Sequence, residues 1–420
     1  MANTYNAWSR RRFITTVSGA GAAVLSAPFM SRAMGYEIDP KVAAIVAKTI
    51  GIDTHNHIDV PLNAAELPGP KVDLAGEMKT SGLVAICATF AVDYQKLNNA
   101  GEAYERFLNG LTAMDAILES NGMTRALTLA DLEAAHKAKK PTVVQSVEGA
   151  HFLEGKIERL EAAYKRGLRH LCLLHDSDAS VPLGDVFTNA PKWGGLTAFG
   201  AEVIKECERL GILVDLSHCD NNTLNGALKI ATKPVLVSHT GLNTQLGKNE
   251  FMANMMKPRL ISKEEAKIVA DAGGVIGVWT HLADTPMEYA ENVKAMVDTV
   301  GADHVAIGTD TKMTPAYRSP NDHWGKPDDG AKAPQGQSPS GNEQDSLRHD
   351  KKEPKGFGGP PGGKGKGEEG TNKTWQDKNQ GFYYTVVEAL LQVGLSEEEI
   401  GKIGGGNYCR VFDAATKGHG

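Results

Sequence analysis

Beyond residue 50 the chain alternates short apolar runs with longer stretches whose apolar residues recur at three- and four-residue steps. The short runs are Ile50–Thr54, Leu83–Phe90, Thr142–Val147, Arg169–Leu174, Ile212–Ser217, Pro234–Ser238, Val275–Trp279 and His304–Thr309. Each has the length of a strand, and near-continuous apolar character is what a parallel strand buried on both faces requires. Between them, stretches such as Tyr104–Asn121, Ile157–Arg166 and Phe199–Leu210 carry the helical period. Eight strands separated by helices predict an α/β fold, a TIM-like (β/α)8 barrel. An open doubly wound sheet is the alternative, but its first strand usually leads into a Gly-rich nucleotide loop. Here the first strand leads into histidines instead.

One region departs from this alternation. From Ser319 to Asn379 the chain is rich in Gly, Pro, Lys, Asp and Glu, most densely at Gly358-Gly359-Pro360-Pro361-Gly362-Gly363. So few aliphatic residues cannot offset the entropy of ordering, so a disordered insertion is expected at about 320–379. It leaves from the face after the eighth strand, where it would serve as a solvated linker or as a lid. Helical pattern resumes at Tyr383–Val393. Ser396 with Glu399 then forms a capping box, and a last helix is expected over Asn407–Ala415.

Candidate chemistry follows from where the polar residues fall. In such barrels functional groups sit at the C-terminal ends of the strands. His55 and His57 end the first strand, two apart and therefore on one side of it. Glu148 ends the third, His175 the fourth, His218 the fifth, His239 the sixth and Asp310 the eighth. Imidazoles with a carboxylate are the donors expected for zinc and similar divalent ions. His55, His57, Glu148, His218 and His239 supply the five ligands that two ions sharing one carboxylate would need. Other histidines read more blandly. His136 lies in a Lys- and Ala-rich helix, and His170 begins a strand at the wrong end for catalysis. His281 is placed equally well near the site or in a plain turn. His151 either orients Glu148 or caps a helix. Cys219 is read as a structural thiol.

Composition narrows the class further. The 420 residues carry a net charge of −6, which offers nothing to nucleic acid. Five scattered cysteines without a CxxC pair argue against a disulfide framework. At the N-terminus, Ser9-Arg10-Arg11-Arg12-Phe13-Ile14 resembles a twin-arginine export signal. An apolar, small-residue stretch follows, and Ser31-Arg32-Ala33 offers a cleavage site. Residues 1–33 are therefore expected to be a signal peptide, delivering a periplasmic or secreted protein by the twin-arginine machinery. Losing its four arginines would take the net charge from −6 to −10. Elsewhere no apolar run approaches the roughly 18 residues that cross a bilayer. The oligomeric state stays open, a homo-oligomer included.

At the strand ends the sequence resembles the membrane (renal-type) dipeptidase family of the amidohydrolase superfamily. The resemblance rests on Asp53-Thr54-His55-Asn56-His57, Val147-Glu148-Gly149-Ala150-His151 and Val214-Asp215-Leu216-Ser217-His218. It extends through Pro234-Val235-Leu236-Val237-Ser238-His239, Gly308-Thr309-Asp310 and Gly405-Gly406-Asn407-Tyr408-Cys409-Arg410. It implies a zinc-dependent dipeptidase with two Zn2+ ions and a metal-activated water. Glu148 would bridge, His55 and His57 would hold one ion, and His218 and His239 the other. His175 and Arg259 would contact the dipeptide, with Arg259 on its terminal carboxylate. Asp310 would move the proton and meet the amino end. Two departures stand out. His57 occupies a position where the family usually has Asp, and His175-Asp176-Ser177-Asp178 differs from the usual Asn-containing segment. They keep open an amidohydrolase acting on another small amide, a lactone or an N-acyl compound.

The export reading has a direct test. Changing Arg10→Lys together with Arg11→Lys should leave the protein in the cytoplasm when cell fractions are blotted. Normal export of the double variant would contradict it.

Overall fold

The computed structural model describes residues 38–319, 370–375 and 380–419. Nine strands form a single parallel sheet: β1 Ile52–His57, β2 Ala85–Thr89, β3 Thr142–Glu148, β4 Leu168–Cys172, β5 Leu213–Asp215, β6 Leu236–Thr240, β7 Val275–Val278, β8 Val305–Ile307 and β9 Thr311–Lys312. The first eight run in sequence order, and β1 pairs with both β8 and β2, which closes the barrel. The short β9 adds to β1 at Asn56 and His57. Every residue of β1 to β8 is buried, including the polar β1 segment Ile-Asp-Thr-His-Asn-His. The barrel expected from the alternation is thus present. β1 begins two and ends three residues further along than expected, so His55 and His57 belong to the strand itself.

Two apolar layers hold the barrel. Outward residues such as Ile86, Val143, Leu171, Val237 and Ile307 pack under the surrounding helices. At the N-terminal end, Ile52, Ala85, Val144, Leu213, Leu236, Val275 and Ala306 converge on the last helix, Asn407–Thr416. That helix plugs the barrel floor with Tyr408, Val411, Phe412 and Ala415. Nearer the mouth, the Thr54 hydroxyl lies 2.7 Å from the Ser238 carbonyl and 3.0 Å from that of Ile307. This crossing needs glycine opposite it. A Cβ at Gly277 or Gly308 would stand 1.9 or 1.8 Å from the Ser238 carbonyl oxygen.

Local signals set the helix starts. The capping box at Ser396 and Glu399 is formed, and a second one joins Ser262 to Glu265. All five cysteines are free thiols. The proposed signal, residues 1–33, lies outside the described residues, as do 320–369 and 376–379 of the expected insertion. Gly370–Trp375 fell inside that expected range but is packed. The Thr371 hydroxyl bonds Asn56 and Thr311, and the Trp375 ring stacks on Phe382. Trp375 is isolated among polar residues in the sequence, so no apolar pattern announced it.

The floor plug should carry much of the stability. Phe412→Ala removes a fully buried ring and is expected to cost about 3–5 kcal/mol, read as a lower urea midpoint with an unchanged slope. A midpoint equal to that of the parent would show that the helix is not part of the core.

Candidate metal centre

The barrel mouth gathers the polar strand ends. His55 and His57 come from β1, Glu148 closes β3, and His239 lies within β6. His175, His218 and Asp310 each sit three residues beyond β4, β5 and β8. His218 and Asp310 adopt left-handed backbone, φ +65° and +55°. Non-glycine residues hold this conformation only where their surroundings over-determine it, typically at functional sites. Here the Asp310 N–H donates to the His55 carbonyl and the Phe187 N–H to that of His218.

Glu148 is the centre of the cluster and is 1 % exposed. Its Oε1 lies 2.8 Å from His218 Nε2, 3.4 Å from His55 Nε2 and 3.5 Å from His239 Nε2. Its Oε2 lies 3.3 Å from His175 Nε2 and 3.7 Å from His57 Nε2, and has no hydrogen-bond partner. His57 Nε2 also stands 3.0 Å from Asp310 Oδ1. The nitrogens of His55 and His57 are 3.3 Å apart, and those of His218 and His239 are 3.0 Å apart. Two ligands on a tetrahedral zinc with bonds of about 2.0–2.1 Å are separated by about 3.3 Å. The spacing therefore suits nitrogens that share a cation.

The outer nitrogens explain why Nε2 faces inward. Asp93 takes the His175 Nδ1–H at 2.6 Å, and Asp176 takes that of His218 at 3.2 Å. The Tyr94 hydroxyl lies 2.7 Å from His57 Nδ1. Ser238 Oγ donates to Asp215 and lies 2.9 Å from His239 Nδ1 and 3.2 Å from His55 Nδ1. A hydroxyl whose proton is committed can accept two donors. With Nδ1 so engaged, each ring directs Nε2 to the centre, the usual arrangement around a ligated metal. The donor set, the orphaned Glu148 oxygen and the spacing all fit divalent ions. Three overlapping groups can hold one: His55, His57 and Asp310; His55, Glu148 and His239; Glu148, His175 and His218.

Charge in the cluster is strongly coupled. Burial raises the Glu148 carboxyl, but His175, His55 and His218 hold it well below the usual carboxylate range. Burial likewise opposes charge on His175, yet Asp93 and Glu148 push that imidazole up to about 10. His55 goes the other way, lowered by burial and by His239.

All seven expected metal or catalytic residues converge. Arg259 also borders the mouth, but its guanidinium lies 2.6 Å from Asp176. His281, left undecided by the sequence, joins the site with Nε2 2.7 Å from Asp310 Oδ2. His151 touches neither Glu148 nor a helix end in a capping role. Its Nε2 meets the Ser177 carbonyl at 2.9 Å and faces Asp93 at 3.4 Å. His170 is buried against Asp215 at 3.1 Å, below the site. The residues that sequence reasoning missed are Asp93 and Tyr94, just after β2. The strand-end rule applied to β2 would have found them.

Comparisons with known proteins bear on the family and the fold. The profile of the family described as membrane dipeptidase (peptidase family M19) matches residues 40–319. A protein from Clonostachys rogersoniana named dipeptidase verJ is 28% identical over 171 residues, 39% of this chain and 41% of its own. An uncharacterised protein in the pqqA 5′ region of Klebsiella pneumoniae is 27% identical over 209 residues, 46% of this chain and 74% of its own. Among solved structures, the probable dipeptidase PvdM from Pseudomonas aeruginosa aligns with a TM-score of 0.63 at 15% identity, covering 92% of this chain and 99% of its own. A metallopeptidase from Rhodobacter sphaeroides, liganded with a phosphinate mimic of the dipeptide L-Ala-D-Ala, aligns at 0.57 and 15% identity, covering 87% and 99%. At these identities the structural likeness shows the fold. The match across residues 40–319 shows the family: the chain belongs to the membrane dipeptidases of peptidase family M19, which are metal-dependent peptide hydrolases.

Proposed function

We propose that this protein is an exported dipeptidase that works with two zinc ions bridged by Glu148. The observation that carries the reading is a buried carboxylate lying between two pairs of inward-facing imidazole nitrogens. His55 and His57 would hold one ion, His218 and His239 the other. When bound, the ions supply Lewis acidity that activates a water near neutral pH and polarises the scissile carbonyl.

The chain's own groups account for the rest. Asp310, between His57 and His281, takes the proton from the attacking water and returns it to the leaving amine. It also meets the substrate's amino end. His175 is fixed by Asp93 through Nδ1 and turns Nε2 to the centre, where it donates to the oxygen that gains negative charge. Arg259 borders the mouth and is the cation for a substrate carboxylate. Its pairing with Asp176 favours the second reading, hydrolysis of a small amide, lactone or N-acyl compound without that carboxylate. Export by the twin-arginine route to the periplasm or beyond would suit a protein loaded with metal before it leaves the cytoplasm.

Two substitutions test the centre. Glu148→Gln keeps the volume but removes the charge that two cations need. It should lose at least one metal by elemental analysis and more than about 100-fold in dipeptide turnover, while its circular dichroism stays that of the parent. Two retained metals at a near-normal rate would remove Glu148 from its role. His57→Asp should behave differently: it restores a carboxylate ligand and is expected to keep two metals with measurable turnover. A parent holding one ion beside a His57→Asp variant holding two would recast the site as mononuclear.

A further inference from the structure

Asp310 presents its two oxygens to different partners. Oδ1 faces the cluster, 3.0 Å from His57 Nε2 and 3.7 Å from His55 Nε2. Oδ2 lies 2.7 Å from His281 Nε2. An ionised carboxylate only accepts, so His281 carries its proton on Nε2 and donates it to Oδ2. The Asp310 backbone is fixed, with φ +55° and its N–H on the His55 carbonyl. The last side-chain torsion of an aspartate is broad, however, so the backbone does not choose which oxygen faces the cluster. A His57 nitrogen that ligates an ion has no proton for Oδ1. Among the described residues, that leaves His281 as the side-chain donor that sets the plane of this carboxylate.

His281 lies three residues past β7, in a turn with bonds of its own. The Thr280 N–H and hydroxyl both donate to the Thr309 carbonyl, at 3.2 and 3.0 Å. The neighbours of His281 and of Asp310 are thus bonded to each other, which fixes the approach of the two side chains. Within the turn, the Ala283 N–H donates to the Thr280 carbonyl at 3.1 Å, and the Trp375 indole N–H reaches the Ala283 carbonyl at 3.3 Å. The Trp279 ring meets the imidazole edge-on, with centroids 5.2 Å apart. These bonds close the turn without the His281–Asp310 contact, so that contact is not needed to hold the turn. Asp310 lines the mouth, and His281 stands behind it rather than among the lining residues.

We propose that His281 is a positioning residue for the proposed proton acceptor: its Nε2–H ties up Asp310 Oδ2 and keeps Oδ1 turned to the centre. This rests on the role given above to Asp310 in peptide hydrolysis and deepens it. A group that must take a proton and return it works only when held in one geometry, and a fixed donor on its other oxygen provides that.

Two amide side chains separate positioning from packing. His281→Gln places an amide N–H where Nε2 stood, whereas His281→Asn is one carbon too short to reach Asp310. On the zinc-loaded protein with L-alanyl-L-alanine, His281→Asn should lose about 10- to 100-fold in kcat, and His281→Gln should recover most of that loss. Both should keep the zinc content of the parent. The effect should also vanish without its target: adding His281→Asn to Asp310→Asn should lower the residual rate no further. Equal losses in the Gln and Asn variants overturn the proposal, since lost packing would then explain both. Zinc lost from His281→Asn overturns it too, as does a further drop in the double variant. An Asp310→Asn variant as fast as the parent, or a parent that cleaves no dipeptide, would remove the proton role of Asp310 and this inference with it. A slow Asp310→Asn beside a fast His281→Asn would sink only the inference.

Discussion

A carboxylate buried at the centre of a ring of imidazoles is the constraint around which this protein is organised. Glu148 is almost wholly enclosed, and one of its oxygens has no hydrogen bond. Burying such a group without compensation is expensive, and so is crowding imidazole nitrogens 3.0–3.3 Å apart with their lone pairs facing. Divalent cations between them would resolve both problems together. The closed parallel barrel makes the arrangement available, because it brings the C-terminal ends of distant strands to one rim. The Thr54 crossing against Gly277 and Gly308 then fixes β1 relative to β6 and β8.

A second tier of residues keeps that centre in register. Asp93, Asp176, Tyr94 and Ser238 each engage an outward Nδ1, and Asp215 in turn commits the Ser238 hydroxyl. One departure from the usual pattern belongs to the ligands themselves. On the proposed two-metal reading, His57 would put an imidazole where the resemblance implies a carboxylate, and the first metal position would carry less negative charge. Asp176 places negative charge back against the ligand shell, on His218 rather than beside His57.

Much of this was legible in the sequence because strand ends are predictable in a barrel. Apolar runs located the strands to within a few residues, and the residues following them gave His55, His57, Glu148, His175, His218, His239 and Asp310. Asp93 and Tyr94 were within reach of the strand-end rule, but the rest of what was hidden depends on loop conformation, which no periodicity encodes. Asp93 and Tyr94 follow a strand that ends without a histidine. Asp176 stood in view, but only the fold shows that it faces Arg259 and His218 together. Likewise His281 needs the turn after β7 before it can meet Asp310. Gly370–Trp375 escaped notice because its anchoring rests on one threonine and one tryptophan.

Two ions sharing Glu148 would leave a direct crystallographic signature. Anomalous diffraction at the zinc edge from crystals of the zinc-loaded parent tests it most directly. Two peaks about 3.5–4 Å apart are expected, one beside His55 and His57, the other beside His218 and His239, with Glu148 touching both. A single peak, or a second one lying away from Glu148, would contradict it.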